Sequence, residues 1–124
     1  MSRLLVVDDE ANIRLLYAEE LKDEGYEVVT AATSAEAIEK LQGAAFDLAV
    51  LDIKLKNESG IELLQKLVKE RHDMPVILCS AFSCYKDDFS AWLADGYVVK
   101  SSDLSDLKQE IARVLAKKTA KIVK

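Results

Sequence analysis

Acidic, hydroxyl and cationic side chains stand at the ends of short apolar runs in this chain. Asp8-Asp9 follow Leu4-Leu5-Val6-Val7, and Asp52 follows Leu48-Ala49-Val50-Leu51. Ser80 follows Val76-Ile77-Leu78-Cys79, and Lys100 follows Tyr97-Val98-Val99. Short apolar runs bounded by polar residues read as strands buried on both faces. In a parallel α/β sheet, ligands bind outside the carboxyl ends of the strands. Four such ends would gather three carboxylates, a hydroxyl and an ammonium along one edge. Carboxylates crowded in a cleft repel one another, and a hard cation relieves the repulsion. Mg2+ takes oxygen ligands and keeps several waters, so two or three carboxylates and a backbone carbonyl suit it. An aspartate beside such a cation can attack a phosphoryl donor and form an acyl phosphate. Lys100 and the cation would offset charge on the transferred oxygens, and Ser80 can donate a hydrogen bond to them. Asp52 is the expected acceptor. A lone aspartate after a strand is usually a cap or turn residue; five suitable residues at four strand ends are not explained that way.

The intervening segments must position these ends. Strand signals cover 3–7, 26–31, 47–51, 75–79 and 97–100. Helical spacing of Ile13, Leu16, Tyr17 and Leu21 predicts a first helix over 10–24, and Gly25 follows it as a residue free to take positive φ. Thr33, with Glu36 three residues on, is a capping-box pattern opening a helix over 34–42, with Ala37, Ile38 and Leu41 inward. Residues 53–59 read as a polar loop closing at Gly60. Ile61, Leu64, Leu67 and Val68 then mark a third helix, and a fourth is expected over 84–94. Gly96 precedes the fifth strand. Ser102 or Asp103 would cap a last helix with Leu104, Leu107, Ile111, Val114 and Leu115 as its stripe. Alternating strands and helices imply (βα)₅, a parallel sheet covered on both faces. The second strand mixes polar and apolar residues, as an edge strand does.

Composition narrows the classes. The chain has 124 residues, with 17 basic and 22 acidic, a net charge of −5. One domain is expected at this length. The acidic balance argues against a nucleic-acid surface, which needs a basic footprint. No apolar run reaches the roughly 18 residues of a membrane span, and Met1-Ser2-Arg3 leads directly into the first strand, so a cytoplasmic protein without a signal peptide is expected. One histidine and two cysteines, Cys79 and Cys84, do not supply a zinc site or a disulfide framework. The domain is read as 1–118, with 119–124 a basic tail or linker stub.

The ordered set Leu4-Leu5-Val6-Val7-Asp8-Asp9-Glu10, Leu51-Asp52-Ile53 with Gly60 eight residues after Asp52, Ser80-Ala81, and Gly96-Tyr97-Val98-Val99-Lys100 resembles the receiver domain of two-component response regulators. The similarity runs from the first strand to the last helix. It implies a doubly wound, flavodoxin-like α/β fold with a five-stranded parallel sheet in the order 2-1-3-4-5. It implies Asp52 as phosphoacceptor, Asp9, Asp52 and the Lys54 backbone carbonyl as direct Mg2+ ligands, and Asp8 acting through a water. Ser80 and Tyr97 would be the switch pair, and Lys100 would contact the phosphoryl oxygens. The phosphoryl source would be a sensor histidine kinase or phosphotransfer protein. The phosphoryl group adds about −1.5 to −2 charge. Ser80 would move towards it, Tyr97 would turn inward, and the surface of the fourth helix, fifth strand and fifth helix would change for a partner or a second copy of the chain. The domain would assist only its own phosphorylation and dephosphorylation.

Two positions depart from the family pattern. Ser101 follows Lys100 where proline, often after a cis bond, is usual; a cis bond before a non-proline costs about 2.5–4 kcal/mol. Lys56 replaces a frequent proline four residues after Asp52. The alternatives are a pseudo-receiver scaffold that works without phosphorylation, and a Mg2+-dependent aspartyl-phosphate hydrolase. The hydrolase needs a second acid/base aspartate two residues after the nucleophile, where this chain has Lys54. A dinucleotide fold is disfavoured, because Asp8-Asp9-Glu10 would repel a pyrophosphate and contains no glycine. Phe82 either shields the phosphoryl group from water or packs on the following helix. Shielding predicts that Phe82→Ala shortens the phosphoprotein lifetime; an unchanged lifetime, followed by loss of the label over time, assigns Phe82 to packing.

Overall fold

Alternate side chains of a strand face opposite sides of its sheet, and a strand that is apolar throughout therefore needs cover on both sides. The computed structural model, which describes residues 2–52, 54–55, 58–70, 74–80, 94–99 and 104–123, provides that cover. Its elements are β1 (Arg3–Val7), α1 (Ala11–Asp23), β2 (Glu27–Ala31), α2 (Ser34–Gly43), β3 (Leu48–Asp52), β4 (Lys54–Leu55), β5 (Glu58–Ser59), α3 (Gly60–Glu70), β6 (Val76–Ser80), β7 (Gly96–Val99) and α4 (Ser105–Val123). The five long strands are parallel, in the order β2-β1-β3-β6-β7. Counting only those strands, the order is the expected 2-1-3-4-5. The helix expected over 84–94, which includes Cys84, lies outside the described residues but for Ala94, as do Phe82 and Lys100 through Asp103.

The core divides by strand periodicity. Leu5, Val7, Leu51, Val76 and Leu78 join Ala37 and Leu41 of α2 and Leu63, Leu64 and Leu67 of α3 on one face. Leu4, Val6, Val50, Ile77, Cys79 and Val98 join Tyr17 and Leu21 of α1 and Leu107, Ile111 and Val114 of α4 on the other. β2 is an edge strand, exposed at its start and buried only at Ala31. Gly25 takes φ 94°, as the end of α1 requires, and Thr33 accepts a hydrogen bond from the Glu36 N–H at 3.1 Å.

Three expectations need correction. Leu16 is not in the inward stripe of α1; it is 39% exposed, while Tyr17 and Leu21 are buried. Steps of four along a helix keep Ile13, Tyr17 and Leu21 together, and Leu16 falls on the margin of that stripe. The segment 53–59 is not simply a loop. Lys54 pairs with Ser59 and Leu55 with Glu58 in an antiparallel ladder. The third and fourth long strands also begin and end one residue later than expected, so Asp52 and Ser80 are strand residues. Pro75 has no N–H for a ladder and stands just before β6.

The amino edge of the sheet is closed by two matching aspartate clasps. Asp47 donates its backbone N–H to the Arg3 carbonyl at 2.8 Å, and its carboxylate accepts from the Arg3 N–H at 2.7 Å. Asp95 donates to the Val76 carbonyl at 2.7 Å and accepts from the Val76 N–H at 2.9 Å. Each clasp locks the first residue of one strand to the residue preceding a neighbour. Asp47→Ala and Asp95→Ala are each expected to lower stability by about 1–3 kcal/mol by leaving a strand N–H without its charged acceptor. Urea unfolding checks this: the midpoint falls and the slope stays the same.

At the β7 edge, Arg113 donates to Glu110 at 2.6 Å and to the Asp95 carbonyl at 3.1 Å. The Arg113 hydrogen bond holds the Glu110 carboxyl below the usual carboxylate range, burial opposes it, and the Tyr97 N–H adds to the lowering. A lowered pKa means that folding favours the ionised form. The Glu110 contribution is therefore present above the ordinary carboxylate range and is lost as pH falls through the lowered value. The stability gap between the parent and Glu110→Gln is expected to be open at neutral pH and to close in acid, as read by denaturation at a series of pH values.

Candidate functional site

Register sets the site. Val7 pairs with Leu51, Asp52 with Cys79, and Ser80 with Val99. Asp8, the residue after Val7, is thereby level with Asp52, the last residue of β3. Both continue the alternation of the face covered by α1 and α4, after Leu4 and Val6 in one strand and Leu48 and Val50 in the other. Two carboxylates thus stand side by side, and both are deeply buried, Asp8 at 2% and Asp52 at 6% exposure. They are the buried acidic side chains among the described residues. Burial of charge is costly without partners or a counter-ion.

The chain after β1 turns directly into α1 and surrounds Asp8. The Asp8 N–H donates to the Ala31 carbonyl at 3.1 Å, extending the β1–β2 ladder by one rung. The Glu10 N–H donates to Asp8 Oδ1 at 2.9 Å. Arg14 reaches back from α1 and donates from Nη1 to the Asp8 carbonyl at 2.6 Å. The acidic turn also precedes a helix N-terminus, whose unpaired N–H groups favour negative charge. Ligand oxygens of Asp8, Asp9 and Glu10 lie within 4.8 Å of one another. Such a set of hard oxygen donors fits Mg2+ or a similar cation and does not fit a soft metal.

The expected site residues are accounted for as follows. Asp8, Asp9 and Asp52 are brought to one edge, with Asp8, Asp9 and Glu10 as the close trio and Asp52 on the adjoining strand end. Lys54 opens β4 two residues beyond Asp52. Ser80 ends β6, one rung past the partner of Asp52. Tyr97 pairs with Leu78, two residues before Ser80, and packs half-buried on the α2–α3 face. Lys100, directly after the last β7 residue, lies outside the described residues. Sequence reading missed Glu10 as a third close carboxylate and Arg14 as a brace. Adjacency to Asp9 signals the first; the second needed the direction of α1.

Among the described residues, no helix is long and apolar enough to cross a membrane. Known proteins share this architecture. The response regulator receiver domain family matches residues 4–112. Response regulator RR06 of Streptococcus pneumoniae is 39% identical over 95 residues, covering 68% of this chain and 43% of that protein. The response regulator protein TrrA of Thermotoga maritima, solved in complex with Mg2+-BeF, is 45% identical with a TM-score of 0.88, covering 92% of this chain and 99% of TrrA. TrrA in the structure of histidine kinase ThkA in complex with it gives 45% identity and a TM-score of 0.87, covering 93% of this chain and 99% of TrrA. The chain spans about half the length of the curated relatives it matches. With the fold, the strand-end acids and the match over most of its length in agreement, the chain belongs to the response regulator receiver domains of two-component systems.

Proposed function

We propose that Asp52 accepts a phosphoryl group from a sensor histidine kinase or a phosphotransfer protein, and that the domain uses the resulting charge as a switch. The observation that carries this reading is the pairing of two buried carboxylates, Asp8 and Asp52, at adjoining strand ends beside Asp9 and Glu10. TrrA supports it through its kinase-bound and Mg2+-BeF-bound structures.

In this reading a carboxylate oxygen of Asp52 bonds to phosphorus as the bond from phosphorus to the donor nitrogen breaks. Strand placement holds that oxygen still, which lowers the entropic part of the barrier. Asp9, Asp52 and the Lys54 carbonyl would hold Mg2+ directly, with Asp8 acting through a water. When bound, the ion supplies charge stabilisation for the transferred oxygens. Lys100 balances the remaining charge. Ser80 donates its hydroxyl to the phosphoryl group, and Tyr97 turns inward in response. Arg14 and the Glu10 N–H keep the Asp8 turn in place while charge accumulates. The changed surface, that of the fourth helix expected from the sequence with β7 and α4, is read by a partner or by a second copy of the chain. The domain catalyses no reaction on an external substrate. It binds no nucleic acid itself, acts in the cytoplasm, and comprises residues 1–118 with 119–124 as a basic extension.

Intact-mass measurement after incubation with acetyl phosphate and Mg2+ tests the reading. A phosphoryl mass gain is expected, with a requirement for Mg2+ and a complete loss in Asp52→Asn. A folded protein that binds Mg2+ and gains no mass would replace this reading with a phosphorylation-independent scaffold. Turnover of an external phosphomonoester would replace it with a hydrolase.

A further inference from the structure

The edge strand β7 carries Tyr97, yet its backbone is held by side chains from α4. The Glu110 carboxylate lies against the β7 backbone at Gly96 and Tyr97, and the Tyr97 N–H helps to keep it ionised. Arg113 orients that carboxylate at 2.6 Å and spans to the Asp95 carbonyl at 3.1 Å. Asp95 is in turn clasped to Val76, the first residue of β6. Gly96 makes the approach feasible: a Cβ there would stand 2.8 Å from Glu110 Oε2 and 2.9 Å from its Cγ. Real Cβ atoms do not come so close, so any larger residue at 96 must push the Glu110 side chain away. Glu110 and Arg113 also line a groove of about 400 Å³ with Tyr97, Val98, Val99, Asp106 and Gln109.

We propose that Glu110, admitted by Gly96 and oriented by Arg113, is a positioning residue that clamps the Tyr97 backbone and sets the resting orientation of the Tyr97 ring. The argument is geometric. Tyr97 lies in a four-residue strand that, among the described residues, pairs with β6 alone. Such a strand has weak restraint of its own. The Glu110 carboxylate against Gly96 and the Arg113 contact at the Asp95 carbonyl restrain the backbone on both sides of Gly96. The Cα–Cβ direction of Tyr97 follows from that backbone, and the two χ1 positions open to a strand residue are set relative to it. Releasing the clamp loosens the strand where a ring must choose between two positions, and the balance between them shifts. This inference rests on Tyr97 being the switch residue, and it adds the group that holds that residue at rest.

The test uses the full chain labelled with 3-fluorotyrosine, with the Tyr97 resonance assigned through Tyr97→Phe. Glu110→Ala and Gly96→Ala are compared with the parent, together with the double variant, at neutral pH. Each single variant is expected to move the resting Tyr97 resonance and to speed exchange of the Tyr97 amide by about tenfold. The double variant is expected to match either single variant, because both remove one clamp. Folding is checked by far-UV circular dichroism. If either single variant misfolds, Glu110→Gln, which keeps a weaker acceptor, gives the same comparison with a smaller effect. Folded variants with an unmoved Tyr97 resonance overturn the proposal, as does a double variant whose effects simply add. Beryllofluoride with Mg2+ added to the parent separates the two readings. A Tyr97 resonance unmoved by that addition removes the switch role, while the resting-state comparison still decides the clamp.

Discussion

The structure depends on parallel register between three neighbouring strands. A one-residue slip in a strand would send every side chain to the opposite face. With Val7 opposite Leu51 and Asp52 opposite Cys79, the apolar residues divide between two faces and the acids emerge together. The same pairing that buries Leu51 and Leu78 therefore brings Asp52 level with Asp8. Core packing and site assembly are not separate constraints here; a register that satisfied one and not the other would cost either the core or the acid pair.

Burying Asp8 and Asp52 opposes folding, and the surroundings answer it locally. Asp8 is held through its backbone by Ala31 and Arg14 and through its carboxylate by the Glu10 N–H. These contacts come from the turn and first helix that follow β1, so the strand and the device that stabilises its end are contiguous in sequence. Such a site favours an incoming cation, since the acids are already gathered and the entropy of gathering them has been spent in folding.

The opposite edge supplies rigidity. Asp47 and Asp95 tie β3 to β1 and β7 to β6 with paired hydrogen bonds of the same pattern. Anchored starts leave the carboxyl ends as the places where a change of charge can act. On the β7 side the anchor extends into α4 through Arg113 and Glu110, so the last helix is joined both to the strand backbone and, through Lys108 and Glu20 at 3.1 Å, to α1. The Glu20 hydrogen bond raises the Lys108 pKa, as an ion pair should.

Much of this was legible in the residue order. Runs such as Leu4 to Val7, set between helical segments, read as central parallel strands, and the residue after each run then lies at one edge. Local chemistry also showed through: Gly25 at positive φ and Thr33 beneath Glu36 are contacts between near neighbours. The errors fell where a decision required distant partners. Leu16 is the more apolar of Leu16 and Tyr17, yet the direction in which α1 meets the sheet exposes it and buries Tyr17. Lys54 to Ser59 carries polar residues that suit a loop, and only the pairing of Lys54 with Ser59 and Leu55 with Glu58 makes strands of its two ends. Asp47 and Asp95 look like ordinary turn residues until the neighbouring strand starts are beside them. Glu110 reads as a solvated helix residue, and Gly96 as a simple strand entry. Sequence by itself determined the alternation of elements and the chemistry at each strand end, because hydrophobic period and residue type are local properties. Tertiary structure alone decided which acids lie together, what braces them and what holds Tyr97, because those depend on register and helix orientation between segments far apart in the chain.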